Sequence, residues 1–148
     1  MDNLQAFLKY AADFERTLVD DDWTRLEPYF ADDAVYEVTG SKTACRLVGR
    51  PAIFAGMKKS LDGFDRKFPT RDIAVLDGPH VADDEIRMQW QVTYGKPGLK
   101  PFVLSGRGRV RYAGGKIVYL YDGYEPGVDE QFAAYVRDTG LAIDPSYV

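Results

Sequence analysis

The chain is poor in the residues that most often carry metal or thiol chemistry. It has one cysteine, Cys45, and one histidine, His80. No intrachain disulfide can form, which fits a reducing compartment. One thiol and one imidazole cannot build a typical zinc site, and they argue against a thiol-imidazole nucleophile. No run of about 18 apolar residues exists, so no membrane-spanning helix is expected. The amphipathic, acidic start MDNLQAF does not read as a leader, and a cytoplasmic location is expected. Basic charge is not in excess either: 19 Lys and Arg stand against 23 Asp and Glu, a net charge of -4. Sequence-independent nucleic-acid binding needs a basic footprint, so nucleic acid is not an expected partner. No metal, nucleotide or flavin motif is visible, so any chemistry is expected to run without a cofactor.

What the chain does have is apolar and aromatic bulk. Hydrophobic residues make up 45% of 148 residues, enough for one domain, residues 1–148, with a real core. Aromatics reach 14%, with ten Tyr, an excess that suits a pocket or an interface as well as a core.

The patterning divides the chain into helices first and strands later. Leu4, Phe7, Leu8, Ala11, Phe14 and Leu18 fall at helical spacing over residues 3–19, with Asp2 or Asn3 as cap. Asp20, Asp21 and Asp22 end that helix and lead into a short one carrying Trp23, Leu26 and Phe30. They read as solvated caps. Val35 to Thr39 is a short strand and Arg46 to Val48 another. Gly49-Arg50-Pro51 opens a third helix, buried through Ile53, Met57, Leu61 and Phe64. Strands are expected at Ile73–Leu76, Glu85–Tyr94, Phe102–Tyr112 and Lys116–Tyr124, with Gly78-Pro79 as a turn that holds His80. A last helix begins near Asp129 and stops at Gly140. This order predicts an α+β fold with helices on one face of a curved, mostly antiparallel sheet and a pocket between the layers.

Three short runs carry a family likeness: Trp23 with Phe30-Ala31-Asp32-Asp33-Ala34, Gly49-Arg50-Pro51-Ala52-Ile53, and Gly115-Lys116-Ile117-Val118 leading to Asp122. In this order and at these distances the chain resembles the nuclear transport factor 2-like superfamily, in particular its SnoaL-like polyketide cyclases. The resemblance spans essentially the whole chain. It implies a cone-shaped sheet wrapped around N-terminal helices, closed by a C-terminal helix.

The resemblance also assigns roles. Against the ketosteroid isomerases, the helix-one tyrosine falls on Phe14, the catalytic aspartate on Val38, and the protonated aspartate on the acid-free stretch Arg107 to Arg109. That chemistry is not expected here. Limonene epoxide hydrolases match at Tyr36, Arg87 and Asp122 but have a second carboxylate where this chain has Gln89. SnoaL-like cyclases ask for one aspartate in the last strand, matched by Asp122. The implied activity is lyase or isomerase chemistry (cyclisation, isomerisation or dehydration) on a small, largely apolar oxygenated ligand. Asp122 would be the base, with Arg87 and Tyr36 stabilising charge on oxygen. Phe14, Val38, Gln89, Trp90 and Tyr124 would line the binding site. The alternatives are a ligand-binding module without catalysis and a dimerisation domain.

Strand periodicity adds its own terms. Asp122 is in phase with Val118, Leu120 and Tyr124, a face that should point inward. Arg87 and Gln89 oppose Ile86, Met88, Trp90, Val92 and Tyr94; patterning alone makes the arginine face solvent, whereas the resemblance turns it into the pocket. Arg107, Arg109 and Arg111 read as a solvated outer face. His80, near Asp77, Asp83 and Asp84, reads as a solvated loop residue. The last strand has Ile117, Tyr119 and Tyr121 on its second face, which suggests cover from a homodimer partner. An open cavity with an unpaired Asp122 near Tyr36 favours catalysis, one with Asp122 paired only to a fixed arginine favours ligand binding, and a cavity crowded shut by Phe14, Val38, Trp90 and Tyr124 favours a structural domain.

Overall fold

The computed structural model describes residues 1–148. Helix α1 spans Asn3–Asp20 and begins in a capping box: Asp2 accepts from the Gln5 amide at 2.8 Å while the Gln5 side chain accepts from the Asp2 amide at 3.0 Å. It ends at Asp21, which adopts the left-handed conformation. Asp21 is more than a cap. Its carboxylate takes hydrogen bonds from the Trp23 indole, Lys58 and Arg66, each at 2.8 Å, and so ties α1 to the next helix. A 3-10 turn over Trp23–Tyr29 then delivers the chain into the sheet.

The strands are β1 (Phe30–Thr39), β2 (Cys45–Val48), β3 (Thr70–Ala82), β4 (Glu85–Gly95), β5 (Phe102–Ala113) and β6 (Lys116–Tyr124). Helix α2 (Arg50–Gly63) separates β2 from β3, and α3 (Val128–Thr139) follows β6. The sheet order is β2-β1-β6-β5-β4-β3, antiparallel throughout except that β1 and β6 run parallel. This is the expected α+β cone: a curved, open sheet with helices on its concave side.

Three details depart from the sequence reading. β1 is ten residues long and starts at Phe30, not Val35. β3 runs straight through the expected turn at Gly78-Pro79, with register breaks on either side of Asp77, and the reversal falls instead at Asp83-Asp84. Such breaks bend a strand without ending it. His80 therefore sits on the strand, paired with Arg87 and hydrogen-bonded to Asp77 at 3.0 Å. Thirdly, a register shift at Arg111/Tyr112 rotates the start of β6, so Ile117 is fully buried and only Tyr119 and Tyr121 remain on the outer face.

One cluster of 24 buried residues forms the core, drawn from every layer. Phe64 stands at its aromatic centre, with ring centroids at 4.5 Å from Tyr94, 5.2 Å from Phe132 and 5.5 Å from Phe102. Such pairs stabilise by about 0.5–1.5 kcal/mol each beyond the burial of their area. This plug fills one end of the cone and leaves the other end open.

Candidate functional site

A cavity of about 330 Å³ occupies the space between α1, α2 and the concave face of the sheet. Its walls are mainly apolar: Phe7 and Phe14 from α1, Met57 from α2, Met88 and Trp90 from β4, and Leu120 from β6. Its mouth lies between α1 and β3, where Leu8, Ile73 and Val75 are about half exposed.

Asp122 lies deep in this cavity, facing inward with Leu120 and Tyr124 as the strand period demands. The Tyr36 hydroxyl donates to Asp122 Oδ2 at 2.7 Å. Tyr36 is buried on β1, next to β6 in the parallel pair, so the two side chains meet across adjacent strands. Burial raises the Asp122 carboxyl pKa; the Tyr36 bond, the nearby Trp90 indole and the more distant Arg71 charge pull it back down. No cation is bonded to Asp122.

Trp90 reaches Asp122 because of two glycines. β4, β5 and β6 align Trp90 with Gly106 and Met88 with Gly108, and Gly106 and Gly108 in turn with Tyr124 and Asp122. The indole lies across this bare stretch of β5 and meets the Tyr124 ring edge-on at 6.0 Å. A Cβ on Gly106 would come within 2.5 Å of Trp90 Cζ2. The Trp90 indole N–H is buried and has no hydrogen-bond partner. It faces the carboxylate without closing a bond to it.

Two further hydroxyls stand beside this pair. Tyr147, in the C-terminal tail, places its oxygen 3.3 Å from that of Tyr36 and 3.2 Å from that of Tyr124. The burial of Tyr147 pushes its phenol up to about 12, so it stays protonated through the neutral range.

A second polar cluster lines the cavity nearer its mouth. Arg71 Nε donates to Asp65 Oδ2 at 2.9 Å, and its Nη1 donates to Glu15. Tyr94 donates to the same Asp65 oxygen at 3.0 Å. Desolvation raises the Asp65 carboxyl, with Arg71 and Tyr94 acting against it. Phe14 lies under the Arg71 guanidinium, 6.0 Å from the ring centre.

The structure brings together Asp122, Tyr36, Phe14, Trp90 and Tyr124 around one space. It does not bring Arg87, Gln89 or Val38 there. Arg87 is on the opposite face, with 63% of its side chain exposed, and pairs with Glu85 at 3.2 Å. Gln89 shares that outer face. The apolar set of β4 wins the concave side because burying five apolar side chains is favourable, while Arg87 and Gln89 keep their hydration on the outer face. Val38 is buried in the core beside Asp122 in the strand pairing and does not reach the cavity. The cation inside is Arg71, which the sequence reading missed. Arg71, Ile73 and Val75 share one strand face, so a longer β3 would have exposed it. Tyr147 sits in a tail without regular structure, and no periodicity points to it. No group of three or more His, Cys, Asp or Glu residues is placed to hold a metal ion. No helix is long and apolar enough to cross a membrane.

Several solved structures share this architecture. An NTF2-like protein of unknown function from Burkholderia pseudomallei is 14% identical, with a TM-score of 0.67 over 93% of this chain and 97% of its own. A putative polyketide cyclase from Xanthomonas campestris pv. campestris is 18% identical, with a TM-score of 0.58 over 89% and 98%. A putative isomerase from Bacillus subtilis is 14% identical, with a TM-score of 0.68 over 97% and 100%. At these identities the likeness is one of fold. No curated protein matches the chain in sequence. The SnoaL-like domain model matches residues 11–120, from within α1 to the middle of β6. With the cone, the apolar cavity and this match in agreement, the chain belongs to the SnoaL-like domain family and has the NTF2-like fold.

Proposed function

We propose that the protein is a pocket enzyme in which Asp122 acts as general base on a small, largely apolar oxygenated compound. The observation that carries this reading is the state of Asp122. It is a deeply placed carboxylate that opens onto an apolar cavity and is held by a neutral tyrosine instead of a fixed arginine. A carboxylate kept basic by desolvation and kept ionised by one short hydrogen bond suits proton abstraction near neutral pH. In the step proposed, a C–H proton beside a carbonyl passes to Asp122, and the electron pair moves onto the carbonyl oxygen. Reprotonation elsewhere gives isomerisation, attack on a second carbonyl carbon gives cyclisation, and loss of a β-hydroxyl gives dehydration. The fold shared with proteins named as a polyketide cyclase and an isomerase agrees with this range. The same reading includes a homodimer built on the outer face of the sheet.

A holding role without turnover has one observation in its favour: Tyr36 already satisfies one Asp122 oxygen. Asp122→Asn separates the two. It keeps the shape and removes the basicity. A catalyst loses at least about a hundredfold in rate with ligand binding kept. A folded variant at full rate would rule Asp122 out as base. A wild-type protein that binds carbonyl compounds without ever exchanging their α-hydrogens for deuterium would favour the holding role.

A further inference from the structure

The tail after α3 has no regular secondary structure, yet it is fixed along its length. The Asp144 amide donates to the Gly63 carbonyl at 2.9 Å, and the buried Ser60 hydroxyl donates to the Pro145 carbonyl at 2.8 Å. Lys67 donates to the Ala142 carbonyl at 2.6 Å, and Lys59 reaches the Val148 carbonyl. Gly56 and Gly63 give the tail its path along α2: a side chain on either would collide, at Gly63 with the backbone of Asp144 and at Gly56 with Leu47, close by the Tyr147 backbone. So a segment of irregular chain is bonded to α2 at three points and to Lys67, just beyond its end, at a fourth, and it threads Tyr147 into the cavity.

Proton counting shows what the Tyr147 hydroxyl is free to do. Tyr36 has one hydroxyl proton, and the 2.7 Å bond to Asp122 takes it. That bond is charge-assisted and short. The contacts of Tyr147, at 3.3 Å to Tyr36 and 3.2 Å to Tyr124, are both long for O–H···O bonds. The Tyr147 ring is held edge-on against Tyr36 at 5.5 Å, so the oxygen is placed while its proton is weakly committed.

We infer that Tyr147 is the donor to the ligand's oxygen, and that the C-terminal tail therefore completes the site. The ligand class it fits is a small, largely apolar compound with a carbonyl, enol or phenol oxygen. The oxygen lies against Tyr147, and the adjacent carbon lies toward Asp122. Rotation of one hydroxyl proton re-aims the donor as negative charge grows on the ligand. The inference rests on the proposed use of the cavity.

The test measures binding of 2-naphthol and of naphthalene, by their fluorescence, to the wild-type protein and to Tyr147→Phe. The variant keeps the ring and loses only the hydroxyl. The expected result is a weakening of 2-naphthol binding by about fivefold to tenfold, with naphthalene unchanged. Unchanged 2-naphthol binding in Tyr147→Phe, or equal losses for both probes, overturns the assignment to Tyr147 and leaves the base role of Asp122 standing. A wild-type protein that binds neither probe overturns the cavity reading itself.

Discussion

Tyr36 and Asp122 are 86 positions apart in the chain and 2.7 Å apart in the fold. Their hydrogen bond is the strongest restraint on the Asp122 carboxylate that comes from a neutral group. Removing it leaves desolvation less opposed. Tyr36→Phe is therefore expected to raise the Asp122 carboxyl further, since the bond is the largest of the effects lowering it. Carbon-13 NMR titration of the aspartate side chains checks this. A carboxyl that does not move, or moves down, would contradict it.

Asp122 should also carry a stability cost at neutral pH. Its pKa is raised by folding, so the folded state binds its proton more tightly than the unfolded chain does. Stability is then lost as pH climbs from the ordinary carboxylate value of 3.8 through the raised folded value. Asp122→Asn is expected to melt higher than wild type at pH 7 and to lose that advantage near pH 3. Thermal melts of both proteins across this range decide the matter; an advantage that is constant or grows toward acid would refute it.

The Arg71 cluster makes the opposite kind of prediction. Arg71→Ala strands Asp65, whose side chain is only 8% exposed. Breaking a buried pair from one side typically costs about 3–5 kcal/mol. Asp65 can escape by protonating, so the loss should be largest at neutral pH and smaller in acid. Urea unfolding at two pH values measures it. A loss below about 1 kcal/mol at pH 7 would show that the pair is well solvated.

Gly106 is expected to tolerate no side chain. A methyl there meets Trp90 at 2.5 Å and the Gly123 carbonyl at 2.6 Å. Overpacking of this sort costs about 1–3 kcal/mol. Gly106→Ala should lower stability by that amount and displace the indole, seen as a change in Trp fluorescence. The wild-type spectrum and midpoint in the variant would show that the slot is not as tight as described.

The outer face of the sheet predicts the oligomer. Tyr119 and Tyr121 stack at 6.4 Å, Arg109 lies over both rings, and Arg111 lies 5.0 Å over Tyr119. Glu37 and Glu85 are bonded into the same layer. Both signs of charge on one face can complement a second copy by two-fold symmetry. A dimer of this polar kind should weaken with salt, unlike the apolar one that the alternation of β6 suggests. Sedimentation at tens of micromolar in low and high salt tests it. A monomer in both conditions would remove the proposal.

The fold was legible because its signals are local. Asp2 and Gln5, the stripe of α1, the glycines between strands and the alternation of β6 each act over a few residues, and they agree. Asp122 was legible for the same reason: an acid in phase with Leu120 and Tyr124 stands out on its own strand. Arg87 misled because the family resemblance turned it into the pocket, against the alternation of β4, which put it in solvent where the structure has it. Ile117 was misplaced by a register shift, which depends on the neighbouring strand. Arg71 was hidden because the expected strand began at Ile73, whereas β3 begins at Thr70. Tyr147 left no trace, because its position comes from glycines and hydrogen-bonding groups on α2, far away in sequence.

The parallel pairing of β1 with β6 has a consequence for how the protein is made. β1 can pair with β2 at once, but its second partner, β6, is the last strand to be synthesised, so closure of the sheet along that edge is a late, long-range step. Tyr36 and Asp122 lie on opposite sides of that seam. Partly folded chains can own a core and several strands and still lack the carboxylate-phenol pair. Competence to bind should thus appear abruptly at the end of folding, and a nascent chain on the ribosome would hold an open cleft instead of a working cavity.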